Sequence, residues 1–342
     1  MLLIVLPNLQ EEVVALYSCS RKKYREYHRF FSPLLKQLKR RQIIAPPPIN
    51  HRNTYLEWNY EAELYSFGKR LGEEFDNELL RQALMQRSYL KKLEEEQKRV
   101  GIEVSSNENV DNVCMIPKGE EILQNFTLLY LRHILPRFPE EGIQSIKDHL
   151  MSEETLSHVC FHIGASELIL CEDFPVEKST LNSTMKALIF ALHESSGLER
   201  TSVFIRDFIL TQIAELDIND LWNIENPIET LNTICRNEDV DLPEPRIVGD
   251  SGVNTILALY RVGLYINKKL IGLGSGESIK IAHEMAASDA LRRLFGTAEH
   301  QLNIPFNLVL NPKIKSEPNL GVKDWCEKRV QERIKQTLSL NE

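Results

Sequence analysis

Residues 274–291, GSGESIKIAHEMAASDAL, restrict the fold more than any other stretch of this 342-residue chain. Gly274 and Gly276 let a backbone leave a strand tightly, because glycine tolerates conformations closed to other residues. Ser278 stands where a helix would begin, with a hydroxyl placed to accept from a free N–H of the first turn. The helix that follows repeats Ala282, Ala286 and Ala290 on one side, small enough to pack close against a sheet. Lys280 and His283, three apart, share another side. A helix N-terminus with a lysine beside it makes a seat for phosphate. Strand, cap and helix are therefore expected in that order, with alanines toward the sheet and a basic, phosphate-facing start.

The formal net charge is −8, which excludes a protein that coats nucleic acid over its whole surface. The charge is unevenly spread. Arg21, Lys22, Lys23, Arg25, Arg29, Lys36, Lys39, Arg40 and Arg41 face a single acid, Glu26, within 21–41. Tyr24, Tyr27, Phe30 and Phe31 are interleaved with them. Such an arm neutralises phosphates and offers faces to unpaired bases. An organelle-targeting segment and a merely solvated charge run remain open beside that RNA-contacting reading. Glu11 and Glu12, with no basic residue before Arg21, suit a presequence poorly. The opening run MLLIVL stops at Pro7, too short to span a bilayer, so no membrane insertion is expected. Six cysteines without a C-x-x-C spacing predict free thiols in a reducing compartment.

Ala45-Pro46-Pro47-Pro48 closes the arm as a stiff extended linker. From Glu57, Leu64, Phe67, Leu71 and Phe75 recur at helical spacing, and Leu79, Leu80, Ala83 and Leu84 mark a second helix. Residues 90–100 are expected as a charged helical extension, and 102–118 as a loop. Helical periodicity then runs from about 119 to 221, with breaks expected at Pro139 and Gly142, at Pro175 and at Gly197. Beyond Asn226-Pro227 a helix is expected over 226–236, followed by a rigid loop at Leu242-Pro243-Glu244-Pro245. Two or three strands are expected in Thr255–Tyr265 and Leu270–Leu273, ahead of a helix over 278–294. The tail ends in an amphipathic helix with Trp325, Val330, Ile334 and Leu338, read as a docking stripe rather than a core. His158-x-Cys160-x-His162 places two histidines a helical turn apart, as a metal pair or as a solvated face.

The spacing G-x-G-x-S-x-K-x-A-x-x-x-A-A-x-x-A-L resembles the last strand and helix of a double-stranded-RNA-binding domain. The helical part resembles the ribonuclease III family through LGEEFDNELLRQALMQRSY (71–89), FPEEGIQSIKDHLMS (138–152) and LNSTMKALIFALHESSG (181–197). The resemblance covers roughly 57–296. It implies a mainly α protein: an all-helical ribonuclease III-like domain, then an α-β-β-β-α RNA-binding domain, with a basic N-terminal arm and a C-terminal tail. The implied boundaries are 1–56 for the arm and candidate targeting segment, 57–222, 226–296, and 297–342 for the tail.

Activity in that family uses a divalent metal held by carboxylates. The family's Glu-x-x-Glu-x-x-Gly-Asp falls on 116–123, so Ile116 stands for the first acid and Ile122-Leu123 for Gly-Asp. Glu120 and Glu121 remain nearby and permit another register. The later Asp-x-x-Glu falls on Ser183 and Lys186. Leu123, Ser183 and Lys186 are thus degenerate catalytic positions by this resemblance, and no metal or other cofactor is expected. The RNA-binding domain also departs from its family: the position of a minor-groove histidine falls near Asn254-Thr255, and the first lysine of the basic cluster is Ile279. Lys268, Lys269, Ser278, Lys280 and His283 remain as candidate RNA contacts, with the arm's Arg21, Lys22, Lys23, Arg25, Lys39, Arg40 and Arg41. Over 226–296 eight Lys or Arg stand against nine acids, a net of about −1, which predicts weak binding to random duplex.

A closer resemblance, to a family of mitochondrial large-ribosomal-subunit proteins, rests on Glu57–Glu63 running into Phe67-Gly68-x-Arg70-Leu71. It continues in Ser195–Arg200, Phe204–Phe208, Val262–Tyr265 and Lys268-Lys269-Leu270. That family implies a structural role in the mitochondrial matrix, with ribosomal RNA and neighbouring large-subunit proteins as partners and no homodimer in the ribosome. A double-strand-specific endoribonuclease and a free-standing duplex-RNA adaptor are the competing functions.

Overall fold

The computed structural model describes residues 33–41, 58–101, 111–172, 174–253, 255–298, 304–308, 310 and 317–340. The chain divides into two compact units, Met1–Thr54 and Tyr55–Glu342. In the first, residues 33–41 form a helix whose side chains are exposed throughout. Lys39, Arg40 and Arg41 lie on it, whereas Arg21, Lys22, Lys23 and Arg25 fall outside the described residues.

The second unit opens with helices α1 (Tyr60–Leu71), α2 (Asn77–Leu84) and α3 (Arg87–Val100). Asn59 and Asp76 cap the first two by accepting from Ala62 N–H and Glu78 N–H, and Gly72 ends α1 in the left-handed conformation at φ 72°. No residue of α3 is buried, as its charged sequence dictates. Helices α4 (Ile116–Ile134), α5 (Glu140–Leu150), α6 (Glu153–His162), α7 (Lys178–Phe208) and the short α8 (Ile218–Leu221) complete the helical part. Helix α4 starts inside the stretch expected as loop, with Pro117 in its first turn, where a missing N–H costs nothing. Gly142 does not break the chain. It lies within α5, where a Cβ would come 2.3 Å from the Phe138 ring. At Gly197 the break does occur: its φ of 84° and ψ of 171° are not helical, so α7 is two helical segments meeting at a kink.

Helix α9 (Pro227–Asn237), strands β1 (Glu244–Ser251), β2 (Leu259–Ile266) and β3 (Lys269–Gly276), and helix α10 (Ile279–Phe295) follow. The sheet is antiparallel in the order β1-β2-β3. Its first strand lies earlier than the sequence suggests: Glu244-Pro245, expected as loop, begins β1, since an edge strand accepts the proline that a central one rejects. β2 and β3 meet in a two-residue turn, Asn267-Lys268, both at positive φ.

The glycines of β3 correct another expectation. Gly276 does end β3, two residues before the Ser278 cap, but Gly272 and Gly274 serve instead to let α10 lie on the strand. A Cβ on Gly272 would come 2.3 Å from the Ala286 carbonyl oxygen, and one on Gly274 2.1 Å from the Ala286 nitrogen. Ala282, Ala286 and Ala290 are fully buried there, and Ser278 caps α10 by accepting from Ile281 N–H at 3.3 Å. The Asp289 carboxylate accepts from Leu273 N–H at 2.8 Å and pairs with Arg293 at 2.9 Å, fixing α10 along β3.

Helix α11 (Glu327–Leu340) ends the described chain. Trp325 and Val330 are core residues, not a free docking stripe. Trp325 meets the Phe295 ring edge-on at 5.4 Å and donates from Nε1 to the Arg137 carbonyl at 2.9 Å. Phe138 stands T-shaped against Trp222 at 5.3 Å and against Phe295 at 6.4 Å. Four rings from four parts of the chain thus join the helical part to the sheet. Ile334 packs against this core from outside; the Leu338 side chain lies outside the described residues. Beside the junction, Glu140 accepts from Arg132, Gln144 and the Asn319 N–H. Burial pushes that carboxyl up, yet these bonds outweigh it and hold it below the usual range.

Trp325→Ala is expected to destabilise the protein by about 3–5 kcal/mol, the range for losing a buried large aromatic side chain. Chemical denaturation of the full chain measures this. A loss below about 1 kcal/mol would mean that the tail does not hold the two parts together.

Candidate functional site

The chemistry-bearing positions of the helical part converge where α4 crosses α7. The crossing is closest at Gly119, where a Cβ would lie 1.8 Å from the Lys186 carbonyl oxygen and 3.4 Å from the Phe190 Cβ. Any side chain at 119 would separate the helices. With the backbones this close, Lys186 and Glu120 meet: Lys186 Nζ lies 2.9 Å from Glu120 Oε1. The lysine side chain is 12% exposed and the glutamate 43%. Lys118 adds a second ammonium 5.0 Å from the Phe190 ring centroid.

The other degenerate positions are also turned to packing or local bonds. Leu123 is completely buried in the core. Ser183 donates from Oγ to the Thr180 carbonyl one turn back, at 3.0 Å. Ile116 and Ile122 are half-buried against the core, and Glu121 is exposed. A divalent cation of the kind the ribonuclease III family uses does not fit this donor set. It would find one carboxylate already engaged by an ammonium, with aliphatic and hydroxyl groups in place of further acids. The alternative register through Glu120 meets the same obstacle, because Lys186 takes that carboxylate.

Among the described residues no group of three or more His, Cys, Asp and Glu side chains is placed to hold a metal ion. His158 and His162 bring their rings to 4.2 Å on an exposed face of α6. Cys160 points the other way into the core, where burial pushes its thiol up to about 12. The five described cysteines are free, and among the described residues no helix is long and apolar enough to cross a membrane.

The candidate RNA contacts of the sheet module separate into two groups. Lys268 and Lys269 are exposed at the β2–β3 turn. Ser278, Lys280 and His283 sit at the start of α10, at the other end of β3. An eight-residue strand spans roughly 25 Å, so the groups do not form one compact patch. Lys280 is exposed, His283 half-buried, and Ile279 exposed where the resemblance places a lysine. Asn254 is outside the described residues; Thr255 donates from Oγ1 to the Gly252 carbonyl at 2.6 Å.

Two family profiles match this arrangement. That of the large ribosomal subunit protein mL44 endonuclease domain matches residues 59–192, and that of the MRPL44 dsRNA-binding domain matches 222–326. The chain belongs to the mL44 family. It is 29% identical over 295 residues to the large ribosomal subunit protein mL44 of Caenorhabditis elegans, covering 84% of this chain and 73% of that protein. It is 26% identical to Ribonuclease 3 of Natranaerobius thermophilus over 68% of this chain and 96% of that enzyme. The solved nuclease domain of ribonuclease III from Campylobacter jejuni has 19% identity, with a TM-score of 0.37 over 44% of this chain and 99% of that one. The fold is therefore a ribonuclease III-like helical domain followed by a double-stranded-RNA-binding domain, as the sequence resemblance implied. The mL44 profile for the endonuclease domain takes in Glu120 and Lys186, so the paired crossing lies inside the family's own domain. Sequence reading identified the lysine but not its partner, because a pairing across two helices depends on their crossing point. Gly119 was the available signal.

Gly119→Ala is expected to destabilise the protein at the upper end of the ~1–3 kcal/mol typical of overpacking, since the obstacle is backbone and cannot rotate away. Thermal unfolding measures this, and because alanine suits a helix interior better than glycine, the backbone effect alone would raise stability. A variant as stable as the parent, or more stable, would contradict the close crossing.

Proposed function

We propose that the chain is a structural, RNA-binding component of the mitochondrial large ribosomal subunit, acting in the matrix in subunit assembly and translation, and that its ribonuclease III-like domain does not cleave RNA. One observation carries the non-cleaving part: the Lys186 ammonium lies against Glu120, 2.9 Å away, where hydrolysis would need a cation held by several carboxylates. A fixed positive side chain there supplies charge without the exchangeable water that a metal activates.

The ribosomal part draws support from the mL44 relatives, whose names describe large ribosomal subunit proteins. Electrostatics agree with it. A module of about −1 net charge gains little from phosphate neutralisation by itself, so a fixed berth among other RNA and protein contacts suits it better than free binding to duplex. Ribosomal RNA and adjoining subunit proteins are the proposed partners. Arg21, Lys22, Lys23, Arg25, Lys39, Arg40 and Arg41 of the arm, with Lys268, Lys269, Lys280 and His283, supply the proposed RNA contacts. Ser278 holds the start of α10 through its cap.

The purified full chain is expected to leave a long RNA duplex intact with magnesium or manganese under single-turnover conditions. Lys186→Ala should be equally silent, because removing the ammonium restores none of the missing acids. Metal-dependent cleavage that persists through repurification and is lost in Glu120→Gln would overturn the non-cleaving reading.

A further inference from the structure

The two edges of the sheet are finished differently. β3 lies beneath α10, and Asp289 takes the Leu273 N–H. β1 pairs only with β2, and all eight of its residues are exposed. Large apolar side chains stand out along this edge and the loop after it. Ile247 is 56% exposed, Val248 51%, Leu257 85%, and Ile256 is wholly exposed. Soluble domains ordinarily blunt such edges with lysines or cover them. This one carries acids. Over 239–251 Asp239, Asp241, Glu244 and Asp250 stand against the single cation Arg246, a net of −3. Arg246 is itself engaged, 2.9 Å from Glu244 and 5.4 Å from the Tyr265 ring centroid. Asp239, Asp241 and Asp250 are exposed and have no ion-pair partner among the described residues. Arg261, across from Gly249 on β2, is the nearest further cation in the ladder.

We infer that β1, with Ile256 and Leu257 beyond it, docks a protein segment that presents apolar side chains between lysines or arginines. The apolar residues call for a partner that removes them from water, as an exposed patch of this kind does. The carboxylates along the edge select a cationic one and repel phosphate. Aliphatic tips such as Ile256 and Leu257 also offer a nucleic acid neither a stacking plane nor a hydrogen bond. Val248, the extra residue of a bulge between Ile247 and Gly249, has its Cγ2 3.0 Å from where a Cβ on Gly263 would lie and stays half exposed, adding to the apolar surface.

The test uses the full chain and two short fluorescent peptides, one alternating valine with lysine, the other valine with glutamate. The lysine peptide should bind, and the glutamate peptide should not. Ile256→Ser with Leu257→Ser should weaken binding at least about tenfold, the scale of a lost apolar anchor. Asp250→Lys should weaken it too, and Lys280→Ala should leave it unchanged. These side chains are exposed, so folding is not at stake and thermal unfolding should match the parent. A photo-crosslinking residue at 256 in the protein's native complexes should attach to a protein segment with basic residues flanking apolar ones. Failure of the lysine peptide to bind, or crosslinks to RNA, to a second copy or to the chain's own residues, would overturn the inference.

Discussion

The crossing of α4 over α7 at Gly119 is the constraint on which the helical domain turns. With no side chain there, the α4 backbone comes within a Cβ's reach of the Lys186 carbonyl. The same contact seats Leu123, Met185, Leu188 and Ile189 in one core. It also decides the chemistry, because Lys186 lies at the contact and Glu120 one step from it, and their side chains pair. A metal site in this shell would need Glu120 free and a carboxylate in place of Lys186. Here the two are held in an ion pair, and the neighbouring positions belong to the core or to local bonds.

The two parts of the body are held together by packing. Phe138 at the end of the α4–α5 turn, Trp222 in the connection, Phe295 at the end of α10 and Trp325 in the tail form one aromatic junction. The sheet module is thereby fixed to the helical shell and not hung from a linker. Glu140 reinforces this at the tail, since its carboxylate receives Arg132 and a backbone N–H of residue 319 together. A rigid two-part body suits the proposed role, in which RNA contacts are spread over separate surfaces. Lys268 and Lys280, at opposite ends of β3, keep a constant separation only if the module does not flex.

Much of this was legible in the sequence where the signal is local. Ser278, the alanines of α10 and the helical periodicity from Leu64 onward specify caps and faces within a few residues. The departures at Ser183 and Lys186 were legible because Ala187-Leu188-Ile189 fixes the alignment beside them. What the sequence hid depends on distant partners. β1 was masked by Pro243 and Pro245, which read as loop until the strand is known to lie at an edge. Gly274 looked like a turn residue because the helix it admits lies on the far side of Ser278. Trp325 looked like a docking group, since the cavity it fills is made by Phe295 and the Arg137 carbonyl. The partner of Lys186 was invisible for the same reason.

The central claim is that this body works as a fixed part of a ribosomal large subunit. Sedimentation of the tagged full chain from mitochondrial lysate addresses that claim most directly. The account predicts co-migration with the large subunit and a shift to light fractions after ribonuclease digestion of the particle. A chain found only in light fractions, with intact large subunits elsewhere in the gradient, would contradict it.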